Sequence, residues 1–497
     1  MYYPSLEEVK SYARQGNLVP VYREIVADLE TPVSAFLKIN RGGNSFLLES
    51  VEGGERLARY SFIGTDPYRI ITTKAEDKTD PLPQVVAELN KYRVVPVRGL
   101  PKFCGGAVGY LSYETVTRFE KLPSPPHDSI GVPESLFMFT DTVLIFDHVT
   151  HKIKVLSHVH LNGDIAKSYA EAVRRIDSLV ERLDQPLPRQ PVQVIPSATG
   201  NLTSNFSRGE FETAVGKIKE YITAGEAIQV VLSQRLSQPT NAEPFEIYRA
   251  LRTLNPSPYM FFLDLGEFYI IGASPEILVR VEDGMVATRP LAGTRRRGNN
   301  PEEDASLEYE LKHDEKERAE HIMLVDLGRN DIGRVSEPGT VQVSDLMEVE
   351  RYSHVMHLVT HVQGKLRKGM TAFDALRACF PAGTVAGAPK IRAMEIIAGF
   401  EPEKRGPYAG AVGYFSFTGN MDMAIAIRTM VLKDGIARVQ AGGGIVYDSV
   451  PSLEYEESMN KARVLLKAIA QAEEAMIAQG ARGKQQQITR IQDTIPK

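Results

Sequence analysis

The sequence predicts an α+β fold with helices layered outside sheets, on three observations. Short apolar runs at 142–146, 269–271, 277–279 and 424–427 are bounded by Gly, Pro or Asp, the pattern of buried strands. Convincing helices lie between such runs. Ser207 and Glu210 form a capping-box pattern ahead of Phe211, Val215, Ile218 and Ile222, whose spacing makes one apolar face. Strands and helices do not alternate strictly, which separates this chain from a doubly wound α/β protein.

Its 497 residues exceed one small domain, and 43% apolar with 24% charged residues suits a soluble globular protein with a real core. The prolines at 186, 188, 191 and 196 and the small polar run 197–204 predict a seam. The expected division is an N-terminal region 1–185, a linker 186–205, a larger C-terminal domain 206–470 and a fraying tail 471–497. Across that seam, Gly106-Ala107-Val108-Gly109-Tyr110 recurs as Gly410-Ala411-Val412-Gly413-Tyr414. The echo fits either two strands with one packing need or two halves of similar topology.

Lys plus Arg total 58 against 63 Asp plus Glu, a net charge of −5, so bulk charge gives no case for nucleic acid or an anionic membrane as partner. Two cysteines far apart suit a reducing cytosol and no zinc site. The opening residues show no secretory pattern, and no apolar stretch is long enough to span a bilayer. A cytoplasmic protein is expected.

The strongest chemical signal is a duplicated pair of carboxylates. Glu317 and Glu320 lie three apart in one helical stretch, and Glu454 and Glu457 three apart in another, with Lys461 four further on. Residues at that spacing share a helix face. Two such faces meeting offer hard oxygen ligands for Mg²⁺; solvated Glu–Lys pairs are the plainer reading. Gly442-Gly443-Gly444 follows a strand-like run and reads as a glycine turn with N–H groups for an anion, or as a strand bend. The segment 381–390 superficially suggests a phosphate loop but lacks its spacing. The basic triplet Arg295-Arg296-Arg297 reads as a solvated loop or an anion contact, and Glu276 and His357 are possible acid–base groups.

Together with Leu47-Leu48-Glu49-Ser50, Asn255-Pro256-Ser257-Pro258-Tyr259-Met260, the run from Glu320 to Leu327 and Asn460-Lys461-Ala462-Arg463, these segments resemble the anthranilate synthase component I family of chorismate-utilising enzymes. The resemblance spans about 47–469. It implies a two-domain layered sandwich of antiparallel sheets with outer helices, 1–185 regulatory and 206–470 chorismate-binding. The implied reaction aminates chorismate at ring C2, expels the C4 hydroxyl and eliminates pyruvate to leave anthranilate, the first committed step toward tryptophan.

By the same resemblance, Glu320 and Glu457 ligate Mg²⁺, with Glu317 and Glu454 supporting through waters. Glu276 is the acid for the C4 hydroxyl and His357 an acid–base group in the elimination. Thr294, Tyr408, Arg428, Gly442, Gly443, Gly444 and Lys461 surround the substrate. Glu49, Ser50, Pro258, Tyr259 and Met260 form a feedback site for L-tryptophan. Ammonia is expected from a separate glutamine amidotransferase subunit in a two-plus-two assembly.

Gln229 stands where isochorismate synthases carry a water-activating lysine, and Ala292 where aminodeoxychorismate synthase component I carries a nucleophilic lysine. Anthranilate synthase is thus the better reading and aminodeoxychorismate synthase the alternative. A non-catalytic tryptophan-binding regulator is the reading from another class.

Overall fold

The computed structural model describes residues 1–50, 59–188, 200–352 and 355–493, with 479–493 as backbone course alone. Most of the predicted linker (189–199) and the last residues of the predicted tail lie outside the described residues. Two sheets dominate, one of twelve strands and one of ten among the described residues, and their ladders are antiparallel.

Alternation along single strands shows how the layers form. In Tyr259–Asp264, Met260 and Phe262 join one core cluster while Phe261 and Leu263 join another. In Gly106–Leu111, Val108 and Tyr110 face the cluster that holds Phe261, while Ala107 and Leu111 face a third. Successive side chains point to opposite faces of a strand, so one cluster is the filling between the sheets. The other two lie under helices. Ile176, Ile247, Leu251, Leu465 and Ile469 cover the outer face of the larger sheet. Leu82, Val85, Val325 and Leu376 cover that of the smaller one. The result is the expected α+β sandwich, helix–sheet–sheet–helix.

Both sheets are continuous across the two halves of the chain. In the larger, Met260 pairs with Glu49 and Asp264 with Ser45. In the smaller, the two GAVGY segments are each other's neighbours, antiparallel about Gly109 opposite Gly413, with Tyr110 opposite Val412 and Val108 opposite Tyr414. The echo is therefore a local two-fold at the centre of the sheet. Each of the two glycines is required by its outer neighbour: a Cβ on Gly109 would sit 1.9 Å from the Leu136 carbonyl oxygen, and one on Gly413 2.1 Å from that of Asp422.

A buried ion pair adds a second fastening between the halves. Arg405 is 1% exposed and donates to both oxygens of Glu401 at 2.7 Å and to the Val385 and Val231 carbonyls. Glu114 of the N-terminal half accepts the Arg405 and Gly406 N–H groups at 2.7 and 3.0 Å.

The helix Arg208–Thr223 begins at the predicted capping box, Ser207 with Glu210, and buries Phe211, Val215 and Ile218. The last helix, Pro451–Asp493, carries Ala462, Leu465, Ile469 and Ala472 into the core and continues through the region expected to fray. Among the described residues no helix is long and apolar enough to cross a membrane.

Gly413→Ala should destabilise the protein by about 1–3 kcal/mol through overpacking against the adjacent strand; urea unfolding followed by circular dichroism measures it. An unchanged midpoint would mean that the central strands tolerate spreading.

Candidate active site

Four carboxylates and three glycines meet between two helices and one strand. The helix Glu315–Gly333 is capped by Asp314, whose side chain accepts the Lys316 and Glu317 N–H groups. Its inner face presents Glu317 and Glu320. The helix from Pro451 presents Glu454, Glu457 and Lys461 on its own face.

Between them runs the strand Ile436–Ile445, which holds Gly442, Gly443 and Gly444 in register with Ser233, Leu232 and Val231. The glycines thus form strand and not the turn that their triplet suggests. Close approach explains them. A Cβ on Gly443 would lie 3.0 Å from Glu454 Oε2 and 3.5 Å from Glu457 Oε1, and one on Gly444 2.5 Å from Gln229 Nε2. Beyond Val439 the strand is paired, among the described residues, along one edge only, by 229–239. Its other edge keeps backbone groups available to a ligand.

Gln229 joins the two sides by donating to Glu320 Oε1 at 3.0 Å. On the far side Lys461 Nζ lies 2.7 Å from Glu457 Oε1 and donates to the Gly442 carbonyl at 3.0 Å. Lys316 reaches Asp448 across the mouth at 3.2 Å.

Burial raises the Glu320 carboxyl above its ordinary range; the Gln229 amide opposes this, while repulsion from Glu317 and Glu457 adds to it. Glu454 is raised likewise, by burial first and by Glu457 as well. The carboxylates therefore share one field, yet among the described residues no three acidic, histidine or cysteine side chains close into a preformed metal cage.

Next to this group lies His357, one of the acid–base candidates. Gly293 bridges them: a Cβ there would be 3.2 Å from Glu317 Oε2, and its carbonyl oxygen is 3.1 Å from His357 Nδ1. The hydroxyl of Thr294, cross-strand partner of His357, lies 3.0 Å from the same nitrogen. A proton on Nδ1 satisfies the carbonyl and leaves Nε2 as the free acceptor. Burial lowers the His357 pKa, the Gly293 carbonyl opposes this, and the Arg428 charge lowers it further, so the imidazole is neutral at physiological pH.

Glu276 is 7% exposed and its pKa is pushed up to about 8. Burial is the cause and outweighs the Thr384 hydroxyl, the Arg289 charge and the Leu291 N–H. It is a carboxylic acid that still carries its proton at neutral pH.

Arg428 is held at φ +49° and has no ion pair among the described residues. Burial lowers its pKa and the nearby Tyr408 raises it. A half-buried cation without a carboxylate is costly, and an anionic ligand relieves the cost. Burial also pushes the Tyr408 hydroxyl up to about 12.

Two departures from the sequence reading stand out. The basic triplet is fully occupied: Arg295 pairs with Glu310, Asp314 and Glu317, Arg296 with Glu303, and Arg297 with Asp304. Thr384 was missed, although it lines one small cavity with Glu276. It sits in the segment 381–390 whose glycines suggest a phosphate loop, and that oddity was its only signal.

A separate cavity of about 380 Å³ opens between the sheets, lined by all five residues Glu49, Ser50, Pro258, Tyr259 and Met260. Tyr60, Phe103 and Tyr414 supply aromatic wall. The Glu49 carboxylate is already held by Arg252 at 3.0 and 3.1 Å and by the Tyr248 hydroxyl. Among the described residues the buried Ser50 hydroxyl has no partner. The Tyr259 hydroxyl donates to Asp422 at 3.1 Å and accepts from Arg280 at 3.0 Å. Ala424 lines the cavity too, and the next residue, Ile425, donates its N–H to the Glu276 carbonyl at 3.0 Å.

Residues 43–467 match the family described as chorismate binding enzyme. The anthranilate synthase component 1 of Acetivibrio thermocellus is 52% identical over 492 residues, covering 95% of this chain and 100% of that protein. The crystal structure of anthranilate synthase component I from Streptococcus pneumoniae superposes with a TM-score of 0.75 at 40% identity, over 89% of this chain and 98% of that one. The menaquinone-specific isochorismate synthase of Escherichia coli, 20% identical, shares the fold with a TM-score of 0.69 over 93% and 98% of the two chains. The facing carboxylates, the buried acid Glu276 and an arginine without an ion pair among the described residues thus lie in a chain that belongs to the chorismate-binding enzymes and, among them, to the anthranilate synthase component 1 family.

Proposed function

We propose that the chain converts chorismate and ammonia to anthranilate and pyruvate. The observation that carries this reading is Glu276, a carboxyl kept protonated by burial. Hydroxide leaves carbon poorly and water leaves well, so a group holding a proton at neutral pH suits departure of the C4 hydroxyl. His357, neutral with Nε2 free, suits removal of a ring proton as pyruvate departs. Arg428, Lys461 and the open edge of 442–444 supply countercharge and N–H groups for the two substrate carboxylates. Ala292 has no nucleophilic atom, which disfavours the aminodeoxychorismate route.

The carboxylate set fits Mg²⁺, which takes one or two carboxylates and keeps several waters and so needs no closed cage. Glu320 and Glu457 would hold it, with Glu317 and Glu454 reaching through water. When bound, it neutralises the ring carboxylate and relieves the repulsion among the four acids.

The component 1 relatives point to a second component, and we assign it the role of a glutamine amidotransferase that delivers ammonia. The two cysteines, Cys104 and Cys379, are buried free thiols, in keeping with a cytoplasmic home. The cavity between the sheets suits L-tryptophan as feedback inhibitor, with the aromatic wall for its indole and Ser50 for a polar end. Glu49 serves its ammonium only by sharing a carboxylate with Arg252.

Purified chain with chorismate, Mg²⁺ and ammonium should yield anthranilate, identified by mass spectrometry, and Glu320→Ala should lower kcat at least about a hundredfold. A native chain that yields no anthranilate overturns the assignment. Calorimetric titration should show L-tryptophan binding that Ser50→Phe abolishes; undiminished binding in that variant places the inhibitor elsewhere.

Glu276→Gln should lower kcat by about 10²–10⁴-fold and should also change how stability depends on pH. Between its ordinary pKa of 4.5 and its folded value of about 8, native Glu276 holds more proton folded than unfolded. Stability therefore falls as pH rises through that window, and the penalty is complete above it. The variant lacks this slope, so its stability relative to the native chain should rise across the window in denaturant titrations. Parallel profiles would mean that the carboxyl is ionised throughout.

A further inference from the structure

A charged unit behind the His357 imidazole has no part in the chemistry above. Arg289 lies between the strands Met285–Thr288 and Leu291–Arg296 and is 8% exposed. Its Nη2 donates to the Tyr352 hydroxyl at 2.8 Å and lies 3.0 Å from Glu350 Oε2. The Tyr352 hydroxyl donates to that same oxygen at 2.8 Å. One hydroxyl thus accepts from the cation and donates to the anion, closing a three-membered ring of contacts in which each bond strengthens the next.

The ring is aimed at the imidazole. Glu350 is the direct cross-strand partner of His357. The Tyr352 ring meets the imidazole edge to face, with centroids 5.7 Å apart and planes at 63°. Gly293 and Thr294 hold the opposite strand neighbour position through Nδ1. The imidazole is therefore contacted from both flanking strands.

We propose that Arg289, anchored by Glu350 and Tyr352, is a positioning residue for the acid–base pair His357 and Glu276: it holds the Tyr352 ring against the imidazole and presents one buried cation to both groups. This rests on the roles given to those two residues above.

The charges facing each group agree. His357 feels Arg428 and Arg289 as like charges and Glu350 as an opposite one. Glu276 feels Arg289, the Thr384 hydroxyl and the Leu291 N–H. The Arg289 charge thus keeps the imidazole neutral and restrains the upward drift of the Glu276 carboxyl, while Glu350 offsets Arg289 at the histidine.

The test is a titration of the full chain with isotope-labelled histidine, the His357 resonance being assigned by its loss in His357→Gln, alongside kcat and KM for chorismate across pH. Arg289→Gln removes a like charge and frees Glu350, so the His357 midpoint should rise by about 0.5–1 unit. Glu350→Gln should move it down by a similar amount, and Arg289→Lys should leave it near native. In Arg289→Gln, kcat should fall about tenfold or more with KM nearly unchanged.

Loosening of the fold would shift both variants in one direction. Shifts of equal sign, or no shift in folded protein, overturn the proposal, as does a rise in KM at constant kcat. If Arg289→Gln does not fold, the downward shift in Glu350→Gln and the native midpoint in Arg289→Lys decide it alone. Opposite shifts in a chain that makes no anthranilate would refute the reaction and still uphold the positioning.

Discussion

The pairing of Gly106–Leu111 with Ala411–Ser416 is the constraint from which the rest of the molecule follows. It lies at the middle of the smaller sheet, where backbones approach so closely that neither Gly109 nor Gly413 admits a side chain. With the Ser45–Glu49 and Tyr259–Asp264 pairing in the larger sheet, it makes two halves of the sequence into one sandwich. The cavity between the sheets exists because strands of both halves wall it. The catalytic strands hang from the same sheet, since the strand Met421–Ile425 pairs with Ala411–Ser416 on one side and with Ile277–Glu282 on the other.

Electrostatically the cleft is unfinished. Four acids press against one another on one side, while Arg428 stands without an anion on the other. By contrast Arg405, fully buried, is completed by Glu401. Among the four acids, Lys461 and Arg295 pair only with Glu457 and Glu317, and a buried charge left without its opposite is costly. The fold stores the cost of those charges and a ligand relieves it.

Local signals were legible in the sequence. The Ser207 capping box, the strand segments and the three-residue spacing of the carboxylates all depend on contacts within a few positions, and the structure places them as read except that the run 424–427 is strand only as far as Ile425. Signals that depend on distant neighbours were harder. The glycine triplet looks like a turn because glycine's freedom is a local property, whereas its cause is steric, the nearness of Glu454 and Gln229 from other elements. Arg289 carries no pattern and Thr384 only the glycines around it, since what matters in each is its nearness to Glu276 or His357, which distant elements set. The commitment of Glu49 to Arg252 was invisible for the same reason. The GAVGY echo was visible, but only the register shows that its two copies are partners.

Ala424 and Ile425 are adjacent links of one strand, the first facing the cavity and the second bonded to the backbone of Glu276. A stiff ladder transmits displacement better than a loop does, so an occupant that tilts this strand also alters the surroundings of the acid. Linkage then runs both ways. Whatever proton the acid holds is then felt as a preference for or against any occupant of the cavity, although Glu276 is not among the residues that line it.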